Sequence, residues 1–391
     1  MKSFTISNDQ IASVISALVA EELSRDPKRY VDSVTAAAWG AETIIGASGA
    51  GLTQIELEDC AVLVARFFGV AAVFTGNAND QQFGDWARYT EESVRAGFQS
   101  MTFTPAGHTG IDAACQHSTD AIFKDAAAAA NLFHGRRRLL SLVAPHSLVG
   151  FTLTVLTPNV LGIETKDVRA IAPIELDNVL QFGDVLVATP SQWRYILKEG
   201  VGAPDNAMGV SFGEPMTPEL SAEMRKAGFG AQREIYGSTE TGLIGWRDSP
   251  SEPFVLFDHW NRFEDNLIRS NSDENAVPVE AMDVLSWEDN QRFVLTGRRD
   301  GAIQIGAKNV FPDKIAAALC EHTLVEDCVI KVGKRKAGVN RLIAHIKLVA
   351  TAPPTESSVR DIDQFCRKIL PPQERPSIFH FEVEVESKKG P

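Results

Sequence analysis

The sequence predicts an α/β fold in which a large N-terminal α/β domain is followed by a small C-terminal α+β domain. Between residues 184 and 236, short apolar runs alternate with segments that begin and end like helices. This order of strand, helix, strand, helix and strand is typical of a doubly wound sheet. Hydrophobic residues make up 44% of the 391-residue chain, which is enough for a sizeable core. Four runs are predicted as strands: 139–144, 184–189, 207–212 and 232–236.

Three helices of the large domain are predicted from their ends. Ser118 and Thr119 stand at the start of the helix-forming segment 119–133, and either can cap it. Thr189 and Thr217 each stand directly before a proline, which is the usual order at a helix N-terminus. Gly200 and Gly228 follow these two segments and are expected to end the helices.

After about residue 290 the alternation stops, and we predict domains of residues 1–297 and 298–391. The predicted elements there are a hairpin of 293–298 with 301–306, a helix over 311–322, a hairpin of 328–335 with 341–350, a helix over 355–370 and a strand over 378–385.

Composition excludes several classes of function. The net charge of −13 argues against binding to nucleic acid or to an anionic membrane, because both need an excess of Lys and Arg. The five cysteines are scattered, which favours a reducing cytoplasm over a disulfide framework or a zinc site. The apolar run 139–156 contains Pro145 and is predicted to be a buried strand and helix, not a membrane span.

Three unusual segments follow predicted parallel strands at their carboxyl ends, where such sheets bind ligands. They are Thr189-Pro190, SFGEP at 211–215 and YGSTETG at 236–242. We therefore predict a ligand site at this edge.

Segment 236–242 resembles the Y-G-x-T-E motif of the adenylate-forming superfamily, which includes acyl-CoA synthetases, luciferases and peptide-synthetase adenylation domains. The resemblance runs from about Pro105 to the C-terminus and rests on several motifs in the same order. It implies a large core with a small C-terminal lid, ATP and Mg²⁺ as cofactors, and formation of an acyl-adenylate. It further implies that Tyr236 stacks on adenine, Thr239 bonds the α-phosphate and Glu240 holds Mg²⁺.

Further site residues follow from the same resemblance. Gly237 and Ser238 belong to the nucleotide motif, and Gly237 lets the backbone approach the ligand closely. Asp283 matches the aspartate that grips the ribose hydroxyls, Arg298 matches a ribose or phosphate contact, and Asp300 matches the hinge, although Gln304 replaces the usual lysine. The turn expected to hold the adenine edge consists of Ser211, Gly213, Glu214 and Pro215.

The stretch TPAGHTGIDAACQHS at 104–118 resembles the phosphate loop of the family. Thr109 and Gly110 align with its Thr-Gly pair, whereas Ala113 stands where the family has a lysine. Backbone N–H groups of a glycine-rich loop can hold phosphate without that lysine. At the C-terminus, Lys388 and Lys389 lie just before the position of the family's catalytic lysine and either replace it or form an ordinary charged tail.

The substrate pocket is predicted to include His117, His146 and Gly242, although each histidine could also be a structural residue. The resemblance implies activation of a small carboxylic acid, which we expect to be aromatic, and transfer to CoA, a carrier protein or an amine. The wording of the SFGEP and YGSTETG motifs also resembles phenylacetate-CoA ligase-like proteins and the acid-activating enzymes of phenazine antibiotic pathways. Two alternatives are a protein that binds AMP or acyl-adenylate with weak adenylation, and an acyl-protein synthetase that loads a cysteine such as Cys366.

Overall fold

The computed structural model describes residues 6–71, 76–97, 99–105, 114–270, 278–299, 301–305, 308–334, 340–349 and 355–382. The chain divides into two compact units, Met1–Gly297 and Arg298–Pro391. The predicted α/β fold is confirmed, because the first unit contains a large sheet in which five adjacent strands run parallel. Within the described residues, no helix has both the length and the apolar character needed to cross a membrane.

The first unit begins with a helical layer that the sequence analysis did not predict. Its elements are α1 (Asn8–Leu23), a 3-10 turn (Pro27–Arg29), α2 (Ser33–Ala38), α3 (Gln54–Phe68), a 3-10 turn (Ala78–Asp80), α4 (Phe83–Ala96) and the antiparallel strands β1 (Ser100–Phe103) and β2 (Cys115–Ser118). Ser7 and Thr53 form capping boxes at the starts of α1 and α3. Buried rings of Phe67, Phe103 and Phe151 join this layer to the rest of the unit.

The remaining helical segments of the first unit are α5 (Thr119–Leu132), α6 (Leu148–Phe151), a π-helical segment (Thr152–Leu156), α7 (Thr157–Leu161), α8 (Pro173–Val179), α9 (Pro190–Lys198) and α10 (Pro218–Lys226). Its strands are β3 (Arg138–Ser141), β4 (Glu164–Asp167), β5 (Asp184–Ala188), β6 (Met208–Phe212), β7 (Ala231–Ser238), β8 (Gly242–Arg247), β9 (Phe254–Leu256), β10 (Trp260–Phe263), β11 (Asn266–Arg269), β12 (Asp283–Trp287) and β13 (Arg292–Arg298). The predicted caps Ser118, Thr189 and Thr217 are present, whereas Thr119, the alternative to Ser118, is the first residue of α5.

The strands form one sheet in the order β12-β13-β9-β8-β7-β6-β5-β3-β4, and β10 pairs with β11 separately. Strands β4, β3, β5, β6 and β7 are parallel, whereas β8 is antiparallel to β7. Both faces of the parallel part are covered, since Val187 of β5 faces the core that contains Phe133 and Ala188 faces the core that contains Trp193. The carboxyl ends of β5, β6 and β7 therefore meet at one edge.

The predicted hairpin of 293–298 with 301–306 is wrong. Strand β13 pairs with β9 in the large sheet, where Phe293 lies opposite Phe254. Residues 303–305 pair instead with residues 308–310. The Phe293 ring is fully buried and stacks on Phe254 at 5.6 Å between centroids, so long-range burial outweighs the local turn signal.

The second unit has the predicted α+β character. It contains β14 (Ile303–Ile305), β15 (Lys308–Val310), α11 (Pro312–Leu319), β16 (Val325–Lys334), β17 (Asn340–Leu348), α12 (Glu356–Ile369), a 3-10 turn (Pro372–Glu374) and β18 (Ile378–Glu382). Strand β17 lies between antiparallel β16 and parallel β18. Ile315, Leu319 and Ile362 from the two helices join the buried face of this sheet in one core.

Gly209 in β6 provides a test of the packing beneath the site. An added methyl group would lie 2.4 Å from Met224 Cε and 3.2 Å from Trp193 Cζ2. Gly209→Ala should therefore lower the free energy of unfolding in urea by about 1–3 kcal/mol, through overpacking. Gly230→Ala is the matched control, because a methyl group there meets nothing within 4 Å. Equal unfolding midpoints for the two variants would contradict this packing.

Candidate active site

The turn after β6 is fixed onto the start of α9. Gly213 has a φ of +84°, a left-handed conformation that glycine adopts without steric cost. The Ser191 hydroxyl donates to Glu214 Oε2 at 2.7 Å, and Arg194 lies 3.7 Å from the same oxygen. Ser211 is fully buried, and its hydroxyl has no hydrogen-bond partner among the described residues. The predicted turn residues therefore form one ordered segment at the carboxyl edge.

Glu234, which sequence reasoning missed, holds the far end of this turn. The backbone N–H of Met216 donates to Glu234 Oε1 at 3.0 Å, and Arg247 Nε donates to Oε2 at 2.7 Å. Burial raises the pKa of Glu234, and the Arg247 guanidinium opposes that rise. A carboxylate inside the predicted central strand 232–236 was the signal that could have identified this residue.

Tyr236 and Asp283 are brought together although they lie far apart in sequence. The Tyr236 hydroxyl donates to Asp283 Oδ2 at 2.8 Å. Its ring is 8% exposed and packs against Phe254 and Phe293, at 5.6 and 5.8 Å between centroids. The phenol and the carboxylate thus form one polar pair at the end of β7, next to the start of β12.

The turn between β7 and β8 permits only glycine at two of its positions. A Cβ atom on Gly237 would lie 2.4 Å from the Gly242 carbonyl oxygen, and Gly242 has a φ of +85°. The Ser238 and Thr241 hydroxyl oxygens lie 3.0 Å apart and brace the turn from within. Thr239 and Glu240 are half-buried at its tip. The backbone is therefore held tightly while these two side chains keep contact with solvent.

His117 contacts the tip of the turn directly. Its Nε2 donates to the Thr239 carbonyl oxygen at 2.7 Å. Burial lowers the pKa of His117, although the bond to Thr239 opposes the change. Nearby, burial and then the Glu240 charge raise the pKa of the Cys115 thiol to about 11. A neutral imidazole and a neutral thiol thus lie beside Glu240 at pH 7.

The other predicted residues are placed differently. His146 Nε2 lies 2.8 Å from Glu21 Oε2, and with Leu18 and Phe67 it lines a small pocket in the helical layer. Arg298 is the last residue of β13. Five predicted site residues lie outside the described residues: Thr109, Gly110, Asp300, Lys388 and Lys389.

Asp125, also missed from the sequence, lies directly behind the turn. Its side chain is 1% exposed and accepts the Leu243 N–H at Oδ2, 2.8 Å away. Arg269 of β11 donates to the other oxygen at 2.8 Å. Asp125 directly precedes the run of five alanines in α5. A carboxylate on an otherwise apolar helix face was the signal that could have identified it.

The described donors suit a divalent cation that arrives with a nucleotide. Among them, no group of three or more His, Cys, Asp or Glu residues could enclose a metal ion. Glu240 offers one carboxylate at the tip of the turn, and Mg²⁺ commonly combines one or two carboxylates with phosphate oxygens and water. The site therefore fits Mg²⁺ bound by Glu240 together with phosphate oxygens.

Gly242→Ala tests the contact between the turn and Asp125. The new methyl group would lie 2.2 Å from Asp125 Oδ2 on a left-handed backbone. Gly135→Ala is the matched control, because Gly135 has a φ of +78° with open space around its Cα. Both variants should lose about 1–2 kcal/mol of unfolding free energy from backbone strain. In denaturant titrations, Gly242→Ala should show an additional loss of unfolding free energy, because its methyl group collides with Asp125. Equal losses in the two variants would contradict the contact.

His117→Gln tests the neutral imidazole, since the glutamine amide can still donate to Thr239. A histidine whose pKa is lowered in the folded state favours unfolding once the unfolded chain binds its proton. Wild-type stability should therefore fall as pH decreases below about 6.5, the unfolded pKa. The unfolding free energy of the glutamine variant should fall less over the same pH range. At pH 8 the pH dependence of the two proteins should be the same. Parallel pH profiles from chemical denaturation would refute this interpretation.

Two curated proteins are similar to the chain over most of its length. The chain is 27% identical over 380 residues to a 4-coumarate–CoA ligase of Halorhodospira halophila, with 96% of both chains covered. It is 28% identical over 337 residues to the protein of that name from Cereibacter sphaeroides, covering 83% of this chain and 79% of the relative. No protein-family model matches the sequence.

Solved structures show the same fold. The amide bond synthetase McbA of Marinactinospora thermotolerans superposes with a TM-score of 0.59 at 13% identity, covering 95% of this chain and 90% of that one. The o-succinylbenzoate CoA synthetase of Bacillus subtilis gives a TM-score of 0.56 at 16% identity, covering 69% and 62%. The sequence relatives and these structures all belong to the adenylate-forming superfamily, which confirms the resemblance predicted from the motifs and indicates that the chain is an enzyme.

Proposed function

We propose that this enzyme uses ATP to activate a carboxylic acid as an acyl-adenylate and then transfers the acyl group to CoA. The observation that carries this proposal is the pairing of Tyr236 with Asp283 beside the ordered tip that presents Thr239 and Glu240. An aromatic ring with a carboxylate beside it at the edge of a parallel sheet suits the base and the ribose hydroxyls of a nucleoside. The adjacent hydroxyl and carboxylate suit its phosphates and their cation.

The chemistry we propose is an in-line displacement at phosphorus. The substrate carboxylate attacks the ATP α-phosphorus, a carboxylate oxygen–phosphorus bond forms, and the bond to the bridging oxygen breaks to release pyrophosphate. Tyr236 and Asp283 hold the nucleoside, and the Thr239 hydroxyl donates to the α-phosphate. Correct placement of the two reactants supplies a large part of the rate enhancement. Mg²⁺ held by Glu240 would supply charge neutralisation at the phosphates.

Several parts of the proposal rest on sequence motifs. Backbone donors at Thr109 and Gly110 would hold phosphate, and Lys388 or Lys389 would bridge the acid and the α-phosphate. Arg298 would contact the ribose or phosphate. Residues 298–391 would act as a lid that turns about Asp300 and admits the acyl acceptor.

The relatives' names support an aromatic acid and CoA as reactants, because two of them are named for 4-coumarate and CoA. An enzyme that prepares an aromatic acid for secondary-metabolite synthesis would use the same chemistry. Cys366 is a poor acyl acceptor, since it is 1% exposed and burial raises the pKa of its thiol to about 11. A thiolate is the nucleophilic form of cysteine, so CoA suits the transfer step better.

Glu240→Gln tests the proposal in an assay of ATP–pyrophosphate exchange. Loss of the carboxylate should reduce exchange by about 10²-fold or more while thermal unfolding stays near that of wild type. Glu252→Gln is the control, because Glu252 is exposed in the segment between β8 and β9. Unchanged exchange in Glu240→Gln would remove the proposed role of this carboxylate.

A panel of aryl and fatty acids in the same assay identifies the substrate. Exchange that depends on an aryl acid supports the full proposal, and exchange with fatty acids alone would overturn its aromatic part. A wild-type enzyme that binds AMP but shows no acid-dependent exchange would be a nucleotide-binding protein. Mass spectrometry after addition of CoA should detect the acyl thioester and no acylated protein.

A further inference from the structure

A buried ion pair lies directly behind the turn that carries Thr239 and Glu240. Arg269 Nη1 donates to Asp125 Oδ1 at 2.8 Å, and Arg269 Nη2 donates to the Thr241 carbonyl oxygen at 2.9 Å. His259 Nε2 lies 2.9 Å from the same Asp125 oxygen. The guanidinium also lies 4.3 Å from the centre of the Trp260 ring. One planar group therefore joins helix α5 to the backbone of the turn.

The same cluster fixes the residue that follows the turn. The Leu243 N–H donates to Asp125 Oδ2 at 2.8 Å, and the Leu243 carbonyl accepts the Trp260 indole N–H at 2.7 Å. Gly242, between Thr241 and Leu243, has no side chain that would separate the backbone from Asp125. Three successive peptide units are thereby held from one side.

Such a pair is an inefficient way to stabilise a core. Removing two charges from water costs several kcal/mol per ion, and well-packed apolar residues often do as well or better. A guanidinium fork, however, binds a carboxylate and a carbonyl in fixed relative orientation, which apolar side chains cannot do. The cluster is thus suited to fixing the backbone position.

We propose that Asp125 and Arg269 are positioning residues that hold the Thr239–Gly242 backbone where Thr239 and Glu240 reach the phosphates and Mg²⁺ of bound ATP. This inference rests on the proposed function and extends it to two side chains outside the nucleotide motif. Misplacement of catalytic groups by about 1 Å can cost about 10²-fold in rate. Removal of the Arg269 guanidinium should consequently lower kcat. The decrease should be larger than the loss of folded protein can explain.

The first unit also offers a closely matched control. Arg138 donates to both oxygens of Asp184, at 3.0 and 2.6 Å, and to the Val179 carbonyl at 2.9 Å. The exposed fractions are 16% and 1% for this pair, against 20% and 1% for Arg269 and Asp125. Arg138 begins β3, at the amino edge of the parallel strands. The Arg138–Asp184 pair therefore has the same kind of contacts as the Arg269–Asp125 pair, but at the opposite edge from the site.

The experiment compares Arg269→Gln, the double variant Asp125→Asn with Arg269→Gln, and the control Arg138→Gln in the full chain. Each is measured by thermal unfolding, by kcat and KM for ATP in acid-dependent exchange, and by calorimetric binding of MgATP. The double variant leaves no unpaired buried charge, so its stability should recover relative to Arg269→Gln. Its kcat should remain about 10–100-fold low, because the Thr241 carbonyl has lost its donor.

Two sets of results decide the proposal. A loss of kcat or of MgATP affinity that persists in the double variant and is absent in Arg138→Gln supports it. Recovery of activity together with stability, or equal losses in Arg138→Gln, overturns it and makes the pair structural only. If the wild-type protein binds MgATP but shows no exchange, the proposed reaction is wrong. The calorimetric affinities of the variants for MgATP then decide the positioning role. If wild type does neither, both proposals are wrong.

Discussion

The common edge at which the parallel strands β5, β6 and β7 end is the constraint on which the rest of the site depends. Their register aligns Ala188 with Ser211 and Phe212 with Ile235. The segments that follow therefore begin side by side. Helices on both faces bury the strands, so the segments beyond this edge are where polar groups and a ligand can gather. The turns at 211–215 and 236–242 owe their proximity to this arrangement.

Buried carboxylates connect those segments to neighbouring elements. Glu234 joins the turn after β6 to Arg247, and Asp125 joins the turn after β7 to Arg269. In each case the carboxylate accepts one backbone N–H and one guanidinium, so it orients main chain as well as balancing charge. A rigid backbone beneath half-buried side chains is the arrangement that a site for charged ligands requires.

The electrostatics of the tip follow from the same burial. His117 is held in the neutral form by desolvation and uses its N–H to orient the Thr239 carbonyl. The Cys115 thiol is likewise kept neutral by burial and by Glu240. Among the described residues, the imidazole of His117 and the thiol of Cys115 beside Glu240 are therefore both neutral. The pairing of His146 with Glu21 shows that the second predicted histidine has a separate environment in the helical layer.

Local signals in the sequence determined the parallel strands, the caps at Ser118, Thr189 and Thr217, and the position of the turn at 236–242. Strand periodicity and capping act between residues that are near neighbours in sequence. Only the tertiary structure decided the pairs Tyr236–Asp283 and Asp125–Arg269, which are 47 and 144 residues apart. It also placed β13 beside β9, against the local hairpin signal. These contacts depend on the order of the strands and on the burial of side chains that are distant in sequence. Neither property can be recognised from the local periodicity of the sequence.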